Sequence, residues 1–212
     1  MNKSQILKTK VCGITEQENM LSVAEAGADY LGFIFHPDSP RDVGSKIKEL
    51  DFSVLPNTIK TIAVMVDKPL KEAMAISQNY RFDYVQLHGS ETPQYCSDMQ
   101  GVTGVIKAFG IYESLPDNLN EYMDCCDFFL FDTRGEKVGG NGLSFDHEIL
   151  RSFHYRKPYF LGGGISPLHV DIVPSMDLTG FYAFDLNSKF EIRPGLKDPD
   201  LIKTFIHKLQ KL

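Results

Sequence analysis

A thiol and a carboxylate placed on the inward faces of two strands make the first candidate for chemistry in this chain. Lys10 and Cys12 lie two residues apart in a β-branched run, as do Phe128, Leu130 and Asp132, so each set falls on one face of a strand. A thiolate is a base and a protonated carboxyl an acid, a combination suited to moving protons on a sugar phosphate. To work near neutrality the thiol needs its pKa of ~8.5 lowered and the carboxyl its ~3.9 raised. Taken singly, Cys12 also reads as a small buried hydrophobe and Asp132 as a turn cap. The pairing is what points to function.

Two further stretches suit an anionic ligand. Gly162-Gly163-Gly164 leads through Ser166-Pro167 toward a helix, so backbone N–H groups can approach an anion without interference from a Cβ. Asp185-Leu186-Asn187-Ser188 closes a later strand and gives Asp185, Asn187 and Ser188 as ligand contacts. In Asp38-Ser39-Pro40-Arg41 the proline fixes the approach and Arg41 offers a fork to a carboxylate. A surface arginine and a plain tight turn are the bland readings of these two signals.

Such residues need a frame that brings them together. Strand patterns fall at about 8–14, 30–35, 60–66, 84–88, 104–111, 128–133, 158–164 and 180–186. Helical spacing follows at about 16–26, 44–52, 70–80, 92–100, 115–123, 146–153, 168–176 and 198–209. Thr15 is the expected cap of the first helix and Thr92-Pro93 of the fourth, with Gly27 ending the first. Strict alternation demands parallel pairing, and eight units favour a closed, single-domain (β/α)8 (TIM) barrel over an open sheet. In that barrel chemistry sits on the loops after the strands, with phosphate at strands 7 and 8, where the glycine triplet and Asn187-Ser188 fall. Strands 1 and 8 are neighbours, and a buried ammonium is costly unless paired, so Lys10 is expected to pair with Asp185 across that seam.

Composition narrows the classes. The 212 residues are 42% hydrophobic and 24% charged, with 17 Gly and 11 Pro, which suits one well-buried core. A net charge of −6 with no basic cluster argues against nucleic acid. No apolar stretch approaches the ~20 residues a membrane span needs, and Met1 to Lys10 holds no signal-like apolar run, so a cytoplasmic protein is expected. Cys12, Cys96, Cys125 and Cys126 show no metal-ligand spacing, so no metal is expected, and the adjacent pair reads as buried free thiols.

Seven stretches in order carry a family likeness. They are Lys10-Val11-Cys12-Gly13-Ile14-Thr15, Gly32-Phe33-Ile34-Phe35 with Ser39-Pro40-Arg41, Val85-Gln86-Leu87-His88-Gly89, Ile106-Lys107-Ala108-Phe109, Leu130-Phe131-Asp132-Thr133, Phe145-Asp146, and Pro194-Gly195-Leu196-Lys197-Asp198. From about residue 8 to 205 the chain resembles the phosphoribosylanthranilate isomerase family of tryptophan biosynthesis. The resemblance implies a compact (β/α)8 barrel that turns N-(5-phosphoribosyl)anthranilate into its 1-deoxyribulose isomer without metal or organic cofactor. It implies that Cys12 is the general base, Asp132 the general acid and Arg41 the holder of the anthranilate carboxylate. Gly163, Gly164, Asn187 and Ser188 then belong to the phosphate loops. Three positions depart from the family pattern: Lys189 replaces a glycine, Leu143 a common lysine and His147 a common tryptophan. They bear on the substrate loop and the phosphate contacts, not on Cys12 or Asp132.

The expected partner is a small phosphorylated substrate, and monomer and homodimer are both compatible with the helix faces. Two other readings stand beside this one. A related sugar-phosphate isomerase or epimerase would share the glycine-rich end, and a barrel retained only for phosphate binding would not need Cys12, Asp132 and Arg41.

Overall fold

Eight parallel strands, β1 (Lys8–Cys12), β2 (Tyr30–Ile34), β3 (Lys60–Met65), β4 (Tyr84–Leu87), β5 (Gly104–Ile111), β6 (Phe128–Thr133), β7 (Tyr159–Gly162) and β8 (Phe181–Leu186), close on themselves. β8 pairs back onto β1, giving the expected (β/α)8 barrel. This computed structural model describes residues 7–133, 147–172 and 178–211. The Phe145-Asp146 stretch, Leu143 and the side chain of His147 lie outside what it describes.

Alternation along each strand sorts side chains into two cores. One set, among them Tyr30, Ile62, Ile106, Leu130 and Phe160, fills the barrel, while a larger set packs between strands and helices. The lower interior is a plug of rings. Tyr30, Tyr84, Phe128, Phe160 and Tyr182 pack with neighbouring centroids 5.0–6.3 Å apart, and the hydroxyls of Tyr30 and Tyr182 meet at 2.7 Å. Above it the inward positions shrink to Gly32, Ala108 and Gly162, which leaves the mouth open. A Cβ on Gly32 would lie 3.1 Å from Cys12 Sγ and 3.3 Å from Lys10 Cε, so the missing side chain makes room for both.

Carboxylates at the lower rim lock strand entry. Asp29 accepts from Thr9 N, Asp83 from Thr61 N and Asp127 from Val105 N, each satisfying an orphan donor at the start of the preceding strand. Four helices follow the sequence pattern: α1 (Gln17–Glu25), α2 (Leu70–Asn79), α3 (Pro93–Gln100) and, at the end, α5 (Pro199–Leu209). Thr92 caps α3 through Tyr95 N with Pro93 in the first turn, and Gly27 follows α1 at φ +100°.

Elsewhere the expected helices are shortened. The 44–52 stretch forms two short 3-10 turns, Ile47–Glu49 and Phe52–Val54, because Asp51 accepts from both Ser53 N and Ser53 Oγ and so favours a local turn over a continuing helix. Leu119–Tyr122 and His147–Ser152 are also 3-10 segments, and α4 is only His169–Ile172. Thr15 does not cap α1. Its hydroxyl instead donates to Gly195 O at 3.0 Å. That contact belongs to an element the periodicity did not suggest, an antiparallel hairpin of β9 (Glu191–Arg193) and β10 (Leu196–Lys197). Asn19 on α1 clasps it by bonding both the N–H and the C=O of Lys197 at 2.9 Å.

Candidate active site

The open mouth forms a cavity of about 230 Å³. Cys12 enters it from β1, Gln86 and His88 from the end of β4, Asp132 from β6, Gly163 and Gly164 from the loop after β7, Asp185 from β8, and Asn187 and Ser188 from the loop after it. Strand parity and the loops after β7 and β8 thus bring together eight of the nine candidate residues singled out in the sequence, counting Lys10 beneath Cys12 and leaving Arg41 apart.

Cys12 sits between charges. Burial is the largest influence and holds its thiol above the ordinary cysteine value, with Asp185 adding to the rise while Lys10 and Lys197 pull it back down. The expected seam pair is present, with Lys10 and Asp185 in direct register and Lys10 Nζ donating to Asp185 Oδ1 at 2.7 Å. Burial opposes the ammonium, but Asp185 and Cys12 together hold Lys10 above the ordinary lysine range.

On the far side, His88 Nε2 lies 3.2 Å from Asp132 Oδ2, and Gln86 Nε2 is 2.8 Å from His88 Nδ1. With the amide donating to Nδ1, the ring proton is on Nε2 and is directed at the carboxylate. Ala108, inward on β5 between β4 and β6, is too small to separate them. The loop carrying His88 is itself tied down. The buried Lys107 ammonium donates to Leu87 O, Gly89 O and Glu91, and Glu91 accepts from Asp67 N and Gly89 N. Gln86 Oε1 is buried and has no hydrogen-bond partner among the described residues.

Gly163 and Gly164 adopt φ values of +81° and +70°, which only glycine reaches without strain, so the turn after β7 depends on both. Arg41 does not line the cavity. Its Nε and Nη2 donate to the two oxygens of Glu191 at 2.8 and 2.6 Å, a bidentate pair, while its stem packs against Gly13 beside Asn187. Glu191 also accepts from Lys197 and from Gly195 N.

Gln86, His88, Glu191 and Lys197 were not singled out as site residues. A signal existed for Gln86, a polar residue at an inward position of an otherwise apolar strand. His88 and Lys197 fell inside stretches that carry the family likeness without being given a role, and Glu191 had no signal, since its hairpin is tied to the barrel by Asn19 and Thr15. All four cysteines are buried and unbridged. Among the described residues, no cluster of His, Cys, Asp and Glu is arranged to hold a metal, and no helix is long and apolar enough to cross a membrane.

Comparison with known proteins bears on the family and the fold. A family profile described as N-(5'-phosphoribosyl)anthranilate (PRA) isomerase matches residues 9–208. N-(5'-phosphoribosyl)anthranilate isomerase of Petrotoga mobilis is 40% identical over 210 residues, 98% of this chain and 99% of that protein. The Phocaeicola vulgatus protein of the same name is 36% identical over 204 residues, 95% of this chain and 97% of its own length. The crystal structure of phosphoribosyl anthranilate isomerase from Thermotoga maritima superposes with a TM-score of 0.82 at 30% identity, covering 97% of this chain and all of that one. A second, solved in complex with reduced 1-(o-carboxyphenylamino)-1-deoxyribulose 5-phosphate, gives 0.79 at 29% identity, with 97% of this chain and all of that chain covered. A barrel with this cavity, matched along nearly its whole length by these relatives, belongs to the N-(5'-phosphoribosyl)anthranilate isomerase family.

Proposed function

We propose that the chain converts N-(5'-phosphoribosyl)anthranilate to 1-(2-carboxyphenylamino)-1-deoxyribulose 5-phosphate, with Cys12 as general base and Asp132 as general acid. The observation that carries this reading is that β1 and β6 send a thiol and a carboxyl into one cavity from different sides. Asp132 gives its proton to the ribose ring oxygen as the C1–O bond breaks and the nitrogen lone pair forms an iminium. Cys12 as thiolate then takes the C2 proton, and the freed electron pair neutralises the iminium to leave an enolamine. Tautomerisation yields the ketone. Each step is a proton transfer of the kind such side chains catalyse.

The remaining contacts divide between the two ends of the substrate. Gly163, Gly164, Asn187 and Ser188 take the phosphate, in keeping with the anion site of this architecture above β7 and β8. Asp185 and the buried Gln86 Oε1 accept from sugar hydroxyls or the anilino N–H. Arg41 takes the anthranilate carboxylate on Nη1, the edge of its fork that Glu191 leaves open.

Turnover of phosphoribosylanthranilate, followed by loss of anthranilate fluorescence, tests the reading. Conversion to the deoxyribulose product supports it. Absence of conversion, together with isomerisation of a sugar phosphate that lacks the anthranilate, would replace it with the related-isomerase reading.

A further inference from the structure

Lys197 brings a second fully buried ammonium to the Cys12 side of the barrel, from a hairpin that lies outside the eight strands. Its Nζ donates to Asn187 Oδ1 at 2.7 Å and to Glu191 Oε1, and Glu191 spends both of its oxygens on Arg41. The other charged pair beside Cys12 is Lys10 with Asp185. The cluster therefore contains three cations, Lys10, Arg41 and Lys197, and two carboxylates, Asp185 and Glu191. Of the remaining titratable groups nearby, Asp132 and His88 stand across the cavity against each other, and Tyr30 lies below with its hydroxyl on Tyr182. Among the described residues, one positive charge in the cluster has no fixed counter-charge. A buried surplus of this kind is costly, and the group best placed to balance it is the Cys12 thiol, whose Sγ and Lys10 Cε flank the same point at Gly32 and which lines one cavity with Asn187, the residue that accepts from Lys197.

We propose that the Cys12 thiolate, when it forms, is the third anion of this cluster, that Lys197 together with Lys10 lowers the cost of forming it, and that Glu191 sets how much positive charge remains for it. Lys197 and Glu191 are positioning residues that act through Cys12, and their effects on it have opposite signs. The inference rests on the reading of Cys12 as the base. Its physical content is the opposition at the thiol: burial holds it above its ordinary value with Asp185 adding to the rise, and Lys10 and Lys197 are the groups that pull it back. Lys197 is itself pulled below the ordinary lysine range by burial, held up by Glu191 and opposed by the like charge of Arg41, so Glu191 is what keeps two cations side by side. The hairpin thereby links the arginine offered to the substrate carboxylate with the residue that removes the proton.

The test is the pH dependence of iodoacetamide alkylation at Cys12 in the full chain, read by mass spectrometry of the Cys12 peptide. Cys96, Cys125 and Cys126 report in the same sample as internal references. Lys197→Met should move the Cys12 midpoint upward by roughly one pH unit, and Glu191→Gln, which keeps the shape but removes a negative charge, should move it downward by a similar amount. Opposite shifts at Cys12, with the other three thiols unmoved, support the proposal. Unmoved midpoints, or shifts in the same direction, overturn it. If Lys197→Met fails to fold, Glu191→Gln decides alone: a downward shift supports the proposal, and an unchanged or raised midpoint overturns it. The base assignment is tested separately by turnover of Cys12→Ser. An inactive Cys12→Ser combined with unmoved midpoints would remove the charge cluster and leave the base in place, whereas opposite shifts with a fully active Cys12→Ser would leave the cluster and remove the base.

Discussion

Lys10 on β1 and Asp185 on β8 are directly registered partners across the seam that closes the barrel, with Nζ 2.7 Å from Oδ1. The lysine side chain has no exposure and that of the aspartate 10%, so removing either strands a charge away from water. Lys10→Met should therefore cost ~3–5 kcal/mol of stability. Chemical unfolding measures it, and a loss under ~1 kcal/mol would mean that water reaches the pair and screens it.

His169 adds a proton-linked contribution beyond the loop after β7. It is buried, and burial lowers its pKa below the ordinary 6.5, while Ser166 N donates to its Nδ1 at 3.0 Å. A base whose folded pKa lies below its unfolded value favours the neutral ring. Its contribution is complete above the unfolded value and is lost as pH falls below it. The stability advantage of the parent over His169→Gln should thus shrink between about pH 7 and pH 5. A constant difference across that range in thermal melts would contradict this.

His88 and Gln86 form a chain of contacts beside Asp132, with separations of 3.2 and 2.8 Å. His88→Ala should lower kcat by roughly 10- to 100-fold with a smaller change in KM, because an acid misplaced by about 1 Å protonates poorly even when substrate is bound. Steady-state kinetics separates the two constants. A rise in KM at constant kcat would assign His88 to substrate binding.

Arg41→Ala should weaken anthranilate-bearing ligands far more than ribose 5-phosphate, since only the former present a carboxylate to the guanidinium. Calorimetric titration of both ligands shows the contrast. Equal weakening would indicate that losing Arg41 releases Glu191 and disturbs the whole cluster.

Much of this arrangement was legible in the residues because strand parity is simple. A period of two set Cys12 above Lys10 and placed Asp132 inward, and closure of eight units made Asp185 the neighbour of Lys10. Helices were legible where a cap was plain, as at Thr92-Pro93. They were not where a side chain competed for the backbone, as Asp51 does with Ser53. The hairpin was hidden for a different reason. Its strands have 3 and 2 residues, too few for a period to show, and its place depends on Asn19, more than 170 positions earlier in the chain. Arg41 was legible as a fork for a carboxylate, but that Glu191 occupies two of its nitrogens required the fold.

The most direct test of the account is the turnover of phosphoribosylanthranilate by Cys12→Ser and by Asp132→Asn, each checked for a parental melting transition. The account predicts that kcat falls by roughly 10² or more in both, the scale of losing a general base or acid. Near-parental kcat in either folded variant would contradict the assignment of that residue, and in both would contradict the mechanism.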